Sequence, residues 1–538
     1  MGFHLYLPTK SEAIMISFRA ITPFVAGLLL FAGCHQRDRV DLIIRNAKIY
    51  TVNNSFAVVQ GAAVRNGRFV AVGSDANINA RYTADSVIDL HGKYVFPGFI
   101  DTHSHFIDYA LSLGQADLGS ATGANQALKM LENRRNTTPD NWIVARNLNS
   151  EFADSVAAQI DNAFPDSPVF IWLCGQEQAV VNRALISKVG ISTGNNRLLT
   201  IDETVATAHK LPQVSADSLT QLMQQAERNF FAVGITSATD YGTSYDNTQI
   251  INQMYNNKQL QIPIYIVLEP SAENIENYIS KIPVYSDNQK ILAVAVSIDG
   301  SLASGKTAMI EPFKNRQRNA PLVTTDSLAR LCQMAIDHGF QMCVSCSGDS
   351  ATRLAINTYA SILPNKNNLR WRLDNLQAIQ RSDLKRIGHY NIIPAVVPVQ
   401  YAQSNAIATQ LLNKSQQKVL FAWKRILEQN QGIVAGIDVP NNQLSPMAVY
   451  HAATHQERLK LRNKQGQEMS SIQALKAMTL WAAYSQFDDD SKGSIEVGKW
   501  ADFIIINENI TTMYRPNIPN VKVRSTYLHG KKVYDSKN

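Results

Sequence analysis

Phe96-Pro97-Gly98-Phe99-Ile100-Asp101-Thr102-His103-Ser104-His105 is the stretch on which the fold turns. An apolar run that stops on two imidazoles reads as a strand delivering both to its carboxyl end. Side chains alternate faces along a strand with period two, so His103 and His105 point the same way. Pro97-Gly98 sets a turn ahead of them. Two imidazoles on one face can clasp a single metal ion, although a His-x-His pair at a strand end can equally be polar surface.

Downstream, strand-like runs alternate with helical stretches, the pattern of βα units and a parallel sheet. Candidate strands end near His105, at Ser237-Ala238-Thr239-Asp240, at Ile264-Tyr265-Ile266-Val267-Leu268 and at Val294-Ala295-Val296-Ser297-Ile298-Asp299. Four more end at Met342-Cys343-Val344-Ser345, Arg370-Trp371-Arg372-Leu373-Asp374-Asn375, Ile393-Pro394-Ala395-Val396-Val397 and Ile433-Val434-Ala435-Gly436-Ile437-Asp438. That is the set an α/β (β/α)8 TIM barrel needs, and such barrels keep their chemistry at the carboxyl ends of the strands. The barrel is expected over residues 96–489. Within it, 107–230 is too long for a loop and carries two further strand-like runs, Trp142-Ile143-Val144-Ala145 and Val169-Phe170-Ile171-Trp172-Leu173. An inserted subdomain over the barrel mouth is the expectation.

Upstream, residues 40–95 alternate short apolar segments with the turn signals Asn53-Asn54, Asn66-Gly67 and Gly73-Ser74. The tail repeats that style in Phe503-Ile504-Ile505-Ile506 and in Val521-Lys522-Val523 leading through His529-Gly530 to Val533-Tyr534. Hairpin signals at both ends predict one flanking β-sandwich built from 40–95 together with 490–536.

With 538 residues the chain can bury a large core, and its net charge of +7 is spread out. It holds no dense basic block with interleaved aromatics, which argues against a nucleic-acid partner and says nothing of oligomeric state. Residues 1–34 read as a leader: Met15 and Arg19 begin a short basic start, and an apolar core runs from Ile21 to Phe31. Leu30-Phe31-Ala32-Gly33-Cys34 resembles a bacterial lipoprotein processing box, which would leave lipid on Cys34 and an exported, membrane-anchored domain. An ordinary cleaved signal is the alternative. Cys174, Cys332, Cys343 and Cys346 are too few for a stapling framework, and Cys343-x-x-Cys346 lacks the second pair of a zinc knuckle, so buried core thiols are expected.

The chain resembles the amidohydrolase superfamily, in its amidohydrolase family 3 branch, from about residue 40 to 533. The marks are Gly98-Phe99-Ile100-Asp101-Thr102-His103-Ser104-His105, Gly234-Ile235-Thr236-Ser237, Asp299-Gly300-Ser301-Leu302, Gly348-Asp349, Gly436-x-Asp438-x-Pro440 and Gly493 to Asp502. The resemblance implies a hydrolase that uses one or two divalent metals to activate water against C–N bonds. By it, His103 and His105 are metal ligands and Asp438 is both ligand and proton shuttle. It also implies a lysine on the fourth strand and histidines ending the fifth and sixth, where this chain has Ala295, Ser345 and Asn375. The second metal position is thereby lost, and what remains is a three-ligand set suited to one ion, zinc by its donors.

Ser345, Asn375 and Glu177 are weaker candidates for contacting a substrate, as is Asp299, for which a loop-capping role is equally open. Gly300-Ser301-Leu302-Ala303-Ser304-Gly305-Lys306-Thr307 fits the spacing of a phosphate loop, but Pro312 follows too soon for the helix such a loop requires. The expected partner is a small-molecule substrate hydrolysed at an amide-type, non-peptide bond. The alternative is an inactive, metal-free relative that keeps the pocket as a binding protein.

Overall fold

The computed structural model describes residues 37–135, 141–174, 178–193, 197–212, 214–430, 432–455 and 466–536. The leader with Cys34, and also Glu177, lie outside them.

Eight strands pair side by side in chain order, each parallel to the next: Phe99–Ile100, Ile235–Thr243, Ile264–Leu268, Gln289–Ser297, Gln341–Ser345, Arg372–Asp374, Ile393–Val396 and Val434–Ala435. Each coincides with a candidate strand of the sequence. Residues of Ile264–Leu268 and Gln341–Ser345 are buried without alternation, because such a sheet is covered on both faces. Helices follow most strands, and some begin on side-chain caps: Ser244 accepts the Asn247 amide and Thr324 that of Ser327. Helix Thr325–His338 stops at Gly339, whose φ of 78° only a residue without Cβ adopts readily. The result is a mixed α/β fold around one large apolar core.

Two more sheets flank this one. Asp38–Arg45, Gly61–Arg65, Arg68–Gly73 and Tyr82–Asp89 form a four-stranded sheet from the front of the chain. The other has six strands and mixes the ends: Lys48–Tyr50, Val58–Val59 and Tyr94–Pro97 pair with Phe503–Ile506, Val523–Leu528 and Lys531–Asp535. Leu42, Ile44 and Phe69 of the first share a core with Ile49, Val95 and Phe503 of the second. The tail therefore contributes to one sheet of the pair, not to both.

A fourth sheet joins Ala116–Asp117, Ile143–Leu148, Val169–Leu173 and Ala179–Val181 over a core of its own that includes Leu131, Ile143, Val156 and Phe164. This unit is narrower than the 107–230 block expected from sequence. Helices Phe106–Leu113 and Ala216–Ala232 lie inside that block, yet they pack on each other in the main core, with the rings of Phe106 and Phe230 at 5.3 Å. Their apolar faces bind them to the parallel sheet.

Cys332, Cys343 and Cys346 are buried free thiols and Cys174 is exposed and free. No helix among the described residues is long and apolar enough to cross a membrane.

Candidate metal centre and cavity

The chain leaving strand Phe99–Ile100 runs against the chain leaving Val434–Ala435. The amide of Asp438 donates to the His103 carbonyl at 2.6 Å, and that of His105 to the Val439 carbonyl at 2.9 Å. Asp101, buried between them, accepts the amides of Ile437 at 3.0 Å and His103 at 3.4 Å. These bonds fix the backbone of both imidazoles against that of the carboxylate.

One ligand atom from each of His103, His105 and Asp438 lies within 4.8 Å of the other two. His105 Nε2 stands 3.9 Å from Asp438 Oδ1. Ligand atoms sharing a tetrahedral zinc lie about 3.4 Å apart, so small side-chain rotations close the set. His103 is 3% exposed, and among the described residues its Nδ1 has no hydrogen-bond partner and its Nε2 meets only the Asn375 amide nitrogen, at 3.4 Å. A buried imidazole with so little else to bond has a lone pair to give, and two nitrogens with one carboxylate oxygen suit a divalent metal. His103, His105 and Asp438 are the residues that would hold it.

The electrostatics agree with ligation. Burial holds the His103 imidazole well below its ordinary pKa, helped by His105 and Arg372, so the ring is neutral. Burial pushes Asp438 up to about 6 against the opposing pull of His105, Asn441 and Gln400. Both its oxygens are held: Gln400 Nε2 donates to Oδ2 at 3.0 Å and Asn441 Nδ2 to Oδ1 at 3.0 Å. Gln377 in turn donates to Gln400 Oε1 at 2.7 Å. A cation in this place offsets the desolvation that now disfavours the carboxylate.

Other functional side chains were missed in the sequence. Tyr241 packs its ring 4.4 Å from that of His103, and Arg372 forms a wholly buried pair with Asp374 at 2.7 Å while donating to the Thr102 carbonyl at 2.8 Å. Asn441 had a signal, the three-residue spacing from Asp438. Gln400 and Tyr241 had none, since each works on a residue distant in the chain, and of the two partners of Arg372 only Asp374 is near it in sequence.

Above the trio opens a cavity of about 870 Å³, lined by His103, His105 and Asp438 together with Ser345, Asn375 and Ala295. Ser345 and Asn375 join each other at 3.2 Å. Leu173, Cys174 and Gln178 of the inserted sheet line it from the other side. Asp299 does not line it. Its oxygens accept the amides of Ala308, Ser347 and Gly348 at 2.8–2.9 Å, so of the two roles open to it the carboxylate takes the loop-tying one and not the substrate contact. No helix follows the phosphate-loop spacing of residues 300–307 before residue 325.

A parallel α/β scaffold with two imidazoles and a carboxylate gathered at the strand ends defines a site that could hold a metal ion, in the manner of metal-dependent hydrolases. The chain belongs to the amidohydrolase family, whose model matches residues 86–534, and this membership places it among hydrolases acting on carbon–nitrogen bonds of small molecules. It is 24% identical to Protein LONG AFTER FAR-RED 3 of Arabidopsis thaliana, covering 98% of this chain and 96% of that one. It is 20% identical to the N-substituted formamide deformylase of Arthrobacter pascens, over 91% and 97% of the two chains. An uncharacterized metal-dependent hydrolase from Pyrococcus horikoshii OT3 superposes with a TM-score of 0.76 at 17% identity, covering 88% of this chain and 99% of that structure.

Proposed function

We propose that this protein is a single-metal hydrolase that cleaves an amide-type, non-peptide C–N bond in a small molecule, with His103, His105 and Asp438 around one zinc ion at the mouth of a closed (β/α)8 barrel. The observation that carries the reading is the convergence of those three side chains on one point at the floor of the cavity. Closure of the barrel is supported by the bonds that join the chain beyond its first and eighth strands. A single ion is supported by Ala295, Ser345 and Asn375, which line the same floor and offer no strong donor for a second. Export through the leader, with lipid on Cys34, belongs to the same proposal on the sequence alone.

When bound, the metal supplies Lewis acidity that polarises a carbonyl and lowers the pKa of water toward 7. The chain supplies the rest. Asp438, with an oxygen toward His105, takes a proton from the attacking water and returns it to the leaving nitrogen. Gln400 and Asn441 hold that carboxylate in place, and Ser345 and Asn375 are positioned to hydrogen-bond the substrate. The deformylase among the relatives is named for N-substituted formamides, which makes N-substituted amides the first substrates to assay.

Metal analysis of protein purified without chelator tests the centre: near one equivalent of zinc, lost in His103→Ala, is expected. Asp438→Asn is expected to lower kcat by about 10²–10⁴ on any amide that is turned over. Turnover unchanged in Asp438→Asn removes the aspartate's role. Absence of metal under every loading condition turns the reading toward a binding protein.

A further inference from the structure

We infer that the substrate carries a positive charge at the end remote from its scissile amide, and that Glu269 is the residue that receives it. The inference rests on the reading of the cavity as a hydrolase's substrate site and adds the substrate's charge class to it.

Glu269 follows strand Ile264–Leu268 directly and so stands, like Asp438, at the carboxyl end of the parallel sheet. It lines the cavity, and among the described residues its carboxylate makes no hydrogen bond or ion pair. Its backbone is anchored instead: its amide donates to the Thr243 carbonyl at 3.1 Å, and its carbonyl accepts from Asn274 at 2.9 Å. Partial burial, then Glu273, raise its pKa, as expected for a carboxylate that lacks a counter-charge. A cation brought to it supplies what the protein does not.

The rest of the wall points the same way. No Lys or Arg is among the described residues that line the cavity, whose polar groups beyond the metal trio and Glu269 are hydroxyls and carboxamides such as Ser297, Ser301, Gln178 and Gln403. An anionic substrate would give up hydration beside two carboxylates with no side-chain cation in return. Its charge would also be drawn to the metal position, which the scissile carbonyl must occupy. A cationic end is repelled from that position and attracted to Glu269, so the two charges set the orientation of the molecule. Leu173 and Pro270 give the wall apolar surface for a short methylene chain between the two ends.

Three acetamides with a four-methylene chain and different far ends test this: N-acetyl-1,4-diaminobutane (ammonium), N-pentylacetamide (methyl) and N-acetyl-5-aminopentanoate (carboxylate). Calorimetric binding to the full chain without added metal is read beside hydrolysis by the zinc-loaded protein. The ammonium compound is expected to bind about fivefold more tightly than its neutral isostere, with the carboxylate compound weakest. The advantage should vanish in Glu269→Gln while binding of N-pentylacetamide is unchanged. Preference for the carboxylate, equal binding of all three, binding of none, or a preference that survives Glu269→Gln overturns the inference. Charge preference in binding without turnover under any metal would sink the hydrolase reading alone, and turnover with the opposite preference would sink the charge assignment alone.

Discussion

Gly436 shows how closely the candidate centre is built. A Cβ on it would come within 2.5 Å of the His103 Cβ and 2.8 Å of the His103 backbone nitrogen. The first and eighth strands can therefore bring their ligands together only because this position has no side chain. Gly436→Ala is expected to cost about 1–3 kcal/mol by overpacking and to lower bound zinc more sharply than it lowers the melting temperature. Zinc content and thermal melting of the variant check this; full zinc occupancy would show that the strands can part without moving the ligands. The gathering of His103, His105 and Asp438 was legible in the sequence, the two imidazoles by period two and by the family motif, the aspartate by the family motif alone. Asp101, Gln400 and Arg372 were not. Each matters through a partner met only after folding: Asp101 through the Ile437 amide, Gln400 through the Asp438 carboxylate, and Arg372 through the Thr102 carbonyl. Asp299 was marked with two readings open, since a carboxylate at a strand end looks alike whether it faces a ligand or three loop amides.

At the level of elements, the parallel strands could be read because covered strands are written as runs of buried β-branched residues. The limits of the inserted unit could not, because its flanking helices are amphipathic whichever core they join, and only packing assigns them to the main one. Inside that unit Asn182 does the work of several caps. Its amide donates to the carbonyls of Phe164 at 2.7 Å and Ser167 at 2.8 Å, and its oxygen accepts the amides of Val169 at 2.9 Å and Leu185 at 3.0 Å. Asn182→Ala leaves these buried backbone groups without partners, a loss of about 3 kcal/mol. Because the unit has its own core, faster amide exchange is expected across residues 164–185 with zinc content unchanged. Exchange that quickens equally in the parallel sheet would show that the two cores unfold as one.

The whole molecule carries its charge balance inward, and this sets its response to pH. Burial is the largest cause that pushes Asp240, Asp299 and Asp438 each up to about 6 from the ordinary 3.8. A carboxyl that binds its proton more tightly in the folded chain than in the unfolded one opposes folding above both values and ceases to do so below them. The penalty is thus fully present above pH 6 and is relieved as pH falls through 6 toward 4, by at most on the order of 3 kcal/mol for each group. Asp438 differs from the other two in that a metal demands its charged form and binds only the folded state, so zinc adds most stability where the proton is absent. Melting curves with chelator and with excess zinc should therefore separate widely at pH 7.5 and converge near pH 5, as protons compete with the ion for the carboxylate and the imidazoles. Asp438→Asn should remove the separation at both pH values. A separation that persists in Asp438→Asn would mean that the ion is held without the carboxylate, and the centre would then have to be drawn around the two imidazoles alone.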